Sequence, residues 1–452
     1  MKRRDFVKNA ARTGAGAVTA ASASRVYGAN SRVHMALVGC GGRGTGVALR
    51  MAKAENTEFT VFCDVYDRNA ARSNERFGGT GKTVKDFREV MEMKDVDGIL
   101  NGTPDHWHAI PSIAALEAGK HVYCEKPIEH TVQEGQVMIE AAKKHPELVF
   151  LTGTQHRSAP HIMEAAELVQ SGKIGEVRFV SVWNYSNMMP DGYGTAPDGE
   201  PPEGMDWDFY LGPAPLVPYN PLRHGGTYRA FRDYSGGRLA DFGVHRFDSV
   251  HQIMGAEKPT SCNATGGRFC LGGMGDHPDV LQATFEYPGW VMAYEALELN
   301  GFGSMGRLTP GLPHHGSNPN WKNRPNGMMF LGTEATLIVD RRAIELLPER
   351  RRGRRGGPAP EPSKLEPIAR GNEEPTAIHT QHFIRCIRDG EKVRTDAVTG
   401  HRAGNIAQLA YISYLAGRKI KWDPDKEVII DDPEASKLLG KKARKPWDQI
   451  TL

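Results

Sequence analysis

The chain has 452 residues, of which 25% are charged and 39% hydrophobic. These are ordinary globular values that exclude a largely disordered chain, and the length suits two to three domains of about 100–200 residues each. No stretch approaches the ~20 apolar residues of a membrane span. The net charge of +3 is unevenly spread: residues 1–30 hold six basic side chains and one acid, which leaves −2 for the remainder. The electrostatic footprint of a nucleic-acid binder is therefore missing.

Residues 2–8 read Lys-Arg-Arg-Asp-Phe-Val-Lys, and a mildly apolar run rich in Ala, Gly and Thr follows from Asn9 to Ala23. Paired arginines before such a run predict a twin-arginine export signal, hence an exported or periplasmic protein with the twin-arginine machinery as a partner. Residues 1–30 are accordingly left out of the fold, with cleavage after Ala23 or nearer Ala29. The six cysteines fit neither a disulfide framework nor a zinc site. Only Cys262 and Cys270 are candidates to pair, and buried free thiols are the simpler expectation.

Residues 31–155 alternate strand and helix. Val33–Val38 is an apolar run that leads at once into Gly39-Cys40-Gly41-Gly42-Arg43-Gly44, and a helical pattern follows through Val47, Ala48, Met51 and Ala52. A second strand, Phe59–Cys63, ends at Asp64. Strand, GxGxxG, helix, strand and acid make a dinucleotide-binding fingerprint. Gly39 permits the tight turn, Gly41 lets the backbone approach a pyrophosphate, and Gly44 allows close helix packing, while helix N–H groups face the phosphates. Asp64 would accept hydrogen bonds from the ribose hydroxyls and repel a 2′-phosphate, favouring NAD over NADP.

Further strands are expected at 96–100, His121–Cys124 and 149–152, with helices at 110–118 and Val132–Lys144. Such alternation builds a parallel sheet whose ligands bind beyond the carboxyl ends of its strands. Gly39–Gly44, Asp64, Asn101, Thr103–His108, Glu125–Pro127 and Thr154–Arg157 all fall at that edge. The expected cofactor contacts are therefore Gly39, Gly41, Gly42, Arg43, Gly44, Asp64, Asn101, Thr103, Pro104, His108, Glu125, Lys126 and Gln155.

From residue 156 the pattern changes. A helix at 160–171 precedes a strand at 177–183, a Pro/Gly/Asn-rich loop fills 188–226, and strands recur at Val280–Tyr287, 291–298 and Ala335–Val339. Runs of strands after one helix predict an α+β domain with an open, mostly antiparallel sheet over residues 156–452. Amphipathic helices at 373–389 and 401–417 are expected to pack back onto the body. Asp241 and His245 are four apart, so a helix beginning near Asp241 would put both on one face, with Asp248 a turn further along. Arg157, Trp183, Tyr185, His224 and Tyr228 are candidates to line a sugar pocket. His314-His315 and Asp276-His277 lack further spaced ligands, so no metal site is expected, and Arg350–Gly357 reads as a solvated loop.

The order GxGxxG, Asp64, Thr103-Pro104-x-x-x-His108 and Glu125-Lys126-Pro127 is similar to the glucose–fructose oxidoreductase and inositol dehydrogenase family, Gfo/Idh/MocA. Arg157–Pro160, Gly172–Val177 and Gly332–Ala335 extend the resemblance to nearly everything after residue 31. Trp207–Pro215 and Arg444-Lys445-Pro446-Trp447 resemble the exported branch of that family. The resemblance implies a reacting set of Lys126, Asp241 and His245, tightly held NAD, and oligomer contacts through the open sheet of a homodimer or homotetramer. In such a set a histidine can take the proton of a sugar hydroxyl, Lys126 can stabilise the reacting oxygen, and Asp241 can orient the imidazole or bind the sugar. Lys126, Arg157, Trp183, Tyr228, Asp241 and His245 are the expected substrate contacts.

An oxidoreductase acting on a sugar, polyol or glycoside is the leading expectation. A glycosidase that oxidises, eliminates, hydrates and reduces within one substrate is the alternative, and the same three residues serve it. A non-catalytic sugar- or NAD-binding scaffold would expect an inert residue at Lys126 or His245, and neither is inert.

Overall fold

The computed structural model describes residues 32–256, 258–301, 325–349, 365–371 and 375–448. The export signal, His314-His315 and Arg350–Gly357 lie outside the described residues.

The first sheet is built from β1 (Val33–Val38), β2 (Thr57–Cys63), β3 (Lys82–Val84), β4 (Gly98–Asn101), β5 (His121–Cys124) and β6 (Phe150–Thr152). All six are parallel in the order 3-2-1-4-5-6. Helices α1 (Gly42–Met51), α2 (Asp67–Arg76), α3 (Phe87–Glu92), α4 (Ala109–Glu117) and α5 (Val132–Lys144) connect them. β1 and β4 are nearly continuous apolar runs buried on both faces, as a parallel sheet covered by helices demands. Thr131 caps α5 with a reciprocal Thr131–Glu134 capping box. The chain order reverses between β1 and β4, which opens a crevice at their carboxyl ends.

Beyond α6 (Pro160–Gln170), a second sheet of ten strands forms. Its strands are β7 (Phe179–Tyr185), β8 (Ser261–Gly267), β9 (Val280–Tyr287), β10 (Trp290–Leu297), β11 (Asn326–Leu331), β12 (Ala335–Val339), β13 (Ala343–Pro348), β14 (Ile368–Gly371), β15 (Ile420–Asp423) and β16 (Val428–Ile430). The order is 14-13-12-11-7-10-9-8-15-16, antiparallel except for the central β7–β10 pair. The short helix α7 (Trp207–Leu211) lies in the long loop after β7. Helix α8 (Val244–Met254) packs with α6 and α10 (Ala397–Ala416) into one core, where Val180, Val182, Phe247, Phe285, Met292, Phe330 and Leu409 interlock.

Helix α9 (Thr376–Asp389) returns to the first unit and packs on α1, placing Phe383 and Ile384 in a core with Met35, Leu37 and Leu100. The two units are therefore tied by the end of the chain as well as by its middle. All six cysteines are free thiols; Cys270 is exposed and the other five, Cys262 included, are buried. Among the described residues no helix is long and apolar enough to cross a membrane.

Candidate active site

The crevice at the β1–β4 reversal opens into a cavity of about 440 Å³. Its glycine wall is shaped by contact. Gly39 has φ +88°, and a Cβ there would lie 2.5 Å from Thr103 N; one on Gly44 would lie 2.3 Å from Gly39 O. Gly41 and Gly42, by contrast, face open space in the cavity wall. Gly41 is also the N-cap of α1 and supplies no capping side chain, so first-turn N–H groups stay available to an anion.

Asp64 lies in the same wall and accepts hydrogen bonds from Cys40 N (2.8 Å) and Tyr66 N (2.9 Å). Burial pushes its pKa up to about 6, against the opposing pull of those N–H groups. Arg43, Thr103, Pro104, His108, Glu125 and Gln155 line the cavity as well. The buried Glu125 carboxylate pairs with Arg43 at 3.0 Å rather than with Lys126. Asn101 is not in the wall: its amide binds His108 O (2.9 Å) and Ser112 Oγ (3.0 Å) while its oxygen accepts from Thr103. It shapes the loop that lines the cavity instead of contacting what fills it. Gly44 likewise acts from behind, by admitting the Gly39 carbonyl.

Lys126, Asp241 and His245 converge on this cavity from both units. Lys126, at the end of β5, donates to Asp241 Oδ1 at 3.0 Å and to the Asp241 carbonyl. Arg229 Nε reaches the same Oδ1 at 3.1 Å. Asp241 does not orient the imidazole, a departure from the expected single helix face. Leu239–Gly243 is a π-helical turn that only then becomes α8, and its wider winding swings Asp241 toward Lys126. Burial alone would raise the Asp241 pKa, but Lys126 and Arg229 outweigh it and hold the group at about 2.

His245 stacks on His156, ring centroids 4.9 Å apart and 27° between planes, and its Nδ1 is buried without a hydrogen-bond partner. Burial, with Lys126, His156, Arg341 and Arg246 nearby, pushes its pKa well below the usual histidine range. It is held as a neutral imidazole beside the Lys126 ammonium; the same surroundings disfavour the imidazolium, so it takes a proton only as negative charge develops on the reacting oxygen between them.

The sugar-pocket candidates divide. His224 and Tyr228 stand in the wall, Tyr228 with its hydroxyl on Asp105 Oδ1 at 2.7 Å. Arg157 and Trp183 do not line the cavity. Arg157 Nε is engaged with the fully buried Asp248 at 2.7 Å, which also accounts for Asp248. Trp183 and Tyr185 lie on β7, where Trp183 covers Gly327 and Tyr185 binds Glu295 Oε2. Strand alternation sends both to the face turned away from the site. Arg229, Arg341, Phe242, Phe209 and Tyr210 line the cavity and were missed from the sequence. Nothing local marks Arg341 apart from any arginine in a turn; it reaches the site because the turn from β12 to β13 lies there, and with the Gln155 amide turned to satisfy its neighbours Arg341 Nη2 donates to the Gln155 oxygen at 3.0 Å. The ring nitrogens of His277 are buried, its ring edge-on to Tyr411 at 5.4 Å, and among the described residues no group of three or more His, Cys, Asp or Glu is gathered as metal ligands would be.

Residues 33–152 match the description "Oxidoreductase family, NAD-binding Rossmann fold", and residues 168–265 with 365–449 match "Oxidoreductase family, C-terminal alpha/beta domain". The chain belongs to the Gfo/Idh/MocA family. A levoglucosan dehydrogenase of Pseudarthrobacter phenanthrenivorans is 35% identical over 117 residues, 26% of this chain and 30% of that one. An inositol 2-dehydrogenase of Salmonella typhimurium is 27% identical over 151 residues, 33% and 45% of the two lengths. The chain thus spans less than half of either relative. A solved levoglucosan dehydrogenase in complex with NADH and levoglucosan superposes with TM-score 0.63 at 20% identity, over 86% of this chain and 99% of the other. The glycine cradle, the open α1 N-terminus and the Asp64 carboxylate fit the NAD that this family's Rossmann domain binds.

Proposed function

We propose that the protein is an NAD-dependent oxidoreductase acting on a carbinol of a sugar, polyol or glycoside. One observation carries the reading: the Lys126–Asp241 ion pair and the neutral His245, from separate units, share one cavity with the Gly39–Gly44 cradle and Asp64. NAD, when bound, supplies the hydride acceptor. The protein's own part is to bind, orient and move a proton. Lys126 donates a hydrogen bond to the reacting oxygen, held in place by Asp241, which Arg229 holds in turn. His245 takes the hydroxyl proton on its imidazole, which its surroundings keep neutral. Tyr228 and His224 stand in the same wall, where the ring of a sugar or polyol would pack against them. The levoglucosan and inositol dehydrogenases among the relatives support a carbohydrate or polyol as substrate.

Export by the twin-arginine route is part of the proposal and rests on Arg3-Arg4 and the run that follows. Free NAD is scarce outside the inner membrane, so the cofactor would stay bound and be recycled in place. A homodimer or homotetramer through the open sheet is supported by the exposed Phe179, Leu331 and Leu347 on β7, β11 and β13. The deciding experiment is mass spectrometry of products after incubation with a panel of glycosides and polyols. A keto sugar accumulating with an added acceptor is expected. Free sugar released with no net redox change would replace this reading with the redox glycosidase, and no turnover of any panel member would contradict it.

A further inference from the structure

The end of the cavity nearest Asp64 is walled by Phe87, Trp107 and Phe209. Phe87 and Trp107 belong to the first unit, Phe87 just after β3 and Trp107 just after β4, while Phe209 sits on α7 in the loop of the second. α7 is five residues long, too short to hold its own shape in water. Something else must keep it over the dinucleotide half.

Part of that hold is the Tyr210 carbonyl, which accepts from Trp107 Nε1 at 2.8 Å. Its own loop adds Trp207 Nε1 on Val217 O, the Tyr210 hydroxyl on Arg223 O and a shared cluster with Tyr228, Phe231 and Tyr234. The outer side, where Phe209 stands, is held by the last described residues of the chain. Arg444 N donates to Pro213 O (3.0 Å), its Nε to Gly212 O (3.1 Å), its Nη1 to Asp208 Oδ1 (2.6 Å) and its Nη2 to Asp208 O (2.9 Å). A guanidinium so placed satisfies the Gly212 carbonyl at the end of this one-turn helix and shares the Asp208 carbonyl with the Gly212 N–H. Three residues on, Trp447 stacks flat on Phe209 (5.6 Å, 8°) and edge-on to Trp107 (4.8 Å, 77°). Arg88 lies over both Phe209 and Trp447 at 5.6 Å. Upstream, Lys441 anchors the segment at the head of α5 through His130 Nδ1 and Glu134. No residue of 440–448 lines the cavity itself.

We infer that residues 440–448 are a strap that sets how fast the dinucleotide leaves, with Arg444 and Trp447 as positioning residues acting through Phe209 and Trp107. The strap spans both units behind the wall, so releasing it removes the backing of Phe209 and Trp107 and loosens the Asp64 end, while Trp207, Tyr210 and Leu211 keep α7 attached to its loop. The inference rests on the dinucleotide reading of the cavity. Because the strap touches no reacting group, its loss changes retention and leaves the chemical step in place.

The test uses full-length protein loaded with NADH and chased with excess NAD, following the loss of NADH fluorescence. Trp447→Ala and the milder Arg444→Gln are expected to release NADH about tenfold faster or more, with Trp447→Phe close to the parent because the stack survives. Unfolding midpoints and circular dichroism establish that each variant is folded. Equal release rates in folded variants, or Trp447→Phe as fast as Trp447→Ala, would overturn the strap alone. A parent protein with no NADH signal would instead remove the dinucleotide reading and the strap with it.

Discussion

Asp241 carries one negative charge between two cations, Lys126 and Arg229, and that imbalance defines the chemistry of the site. Removing Arg229 leaves burial opposed by Lys126 as the nearest remaining cation, so the Asp241 pKa must rise from about 2. Arg229→Gln should therefore move the acid limb of the kcat profile to higher pH, and an unmoved limb would show that Arg229 does not act through Asp241. Asp64→Ala should narrow the preference for NAD over NADP measured by titration, because the carboxylate that repels a 2′-phosphate is gone; unchanged discrimination would refute the ribose assignment. At this scale, legibility depended on chemistry being local. Lys126 stands in a short motif at a strand end, whereas Arg229 and Arg341 gain meaning only from what the fold puts beside them.

The glycine loop and the π-helical turn are the two elements that fix the site. In the loop, Gly44 meets the Gly39 carbonyl so closely that a methyl group forces helix and strand apart. Gly44→Ala should cost about 1–3 kcal/mol in urea unfolding and loosen NAD binding; a variant as stable as the parent would mean the contact relaxes freely. The loop was readable because strand, glycines, helix and acid are consecutive. The π turn was not, since a four-residue spacing looks the same in either winding and only the ladder of hydrogen bonds separates them. Strands β8 and β15 escaped for another reason. Ser261–Gly267 is poor in β-formers and is a strand because β9 pairs along its whole length, while β15 adds to β8 from a distant part of the sequence.

Taken as a whole, the molecule buries many neutral histidines. Burial lowers His106 and His379 to about 3 and His121 and His277 to about 4. Each is lowered from the ordinary histidine value of 6.5, so the unfolded chain binds more protons below that pH and stability falls as pH drops from about 6.5 toward 4. His401 runs the other way: burial opposes it, but Glu129 and Glu427 raise it to about 9, and its contribution is lost as pH rises through that value. The His401 contribution is whole below about pH 6.5 and is lost progressively up to about 9, so the unfolding midpoint should peak near pH 6.5 and decline toward 9; a maximum near pH 5 would contradict this balance. A parallel-sheet unit followed by a mostly antiparallel one was legible from the change of pattern along the chain, and the amphipathic helix at 373–389 was expected to pack back; that it lands on α1 was not legible, because packing between distant segments leaves no local trace.

The account turns on Lys126 and His245, one from each unit, acting at one reacting oxygen in the cavity they share. The direct measurement is the single-turnover rate of NADH formation, with the substrate identified by the product panel, for Lys126→Ala, His245→Ala and the double variant. Each single change should slow the step by about 10²–10³ with NAD still bound, and the double variant should be little slower than the worse single, as for groups that work as a unit. A near-normal rate in either single variant, or losses that simply multiply, would contradict it.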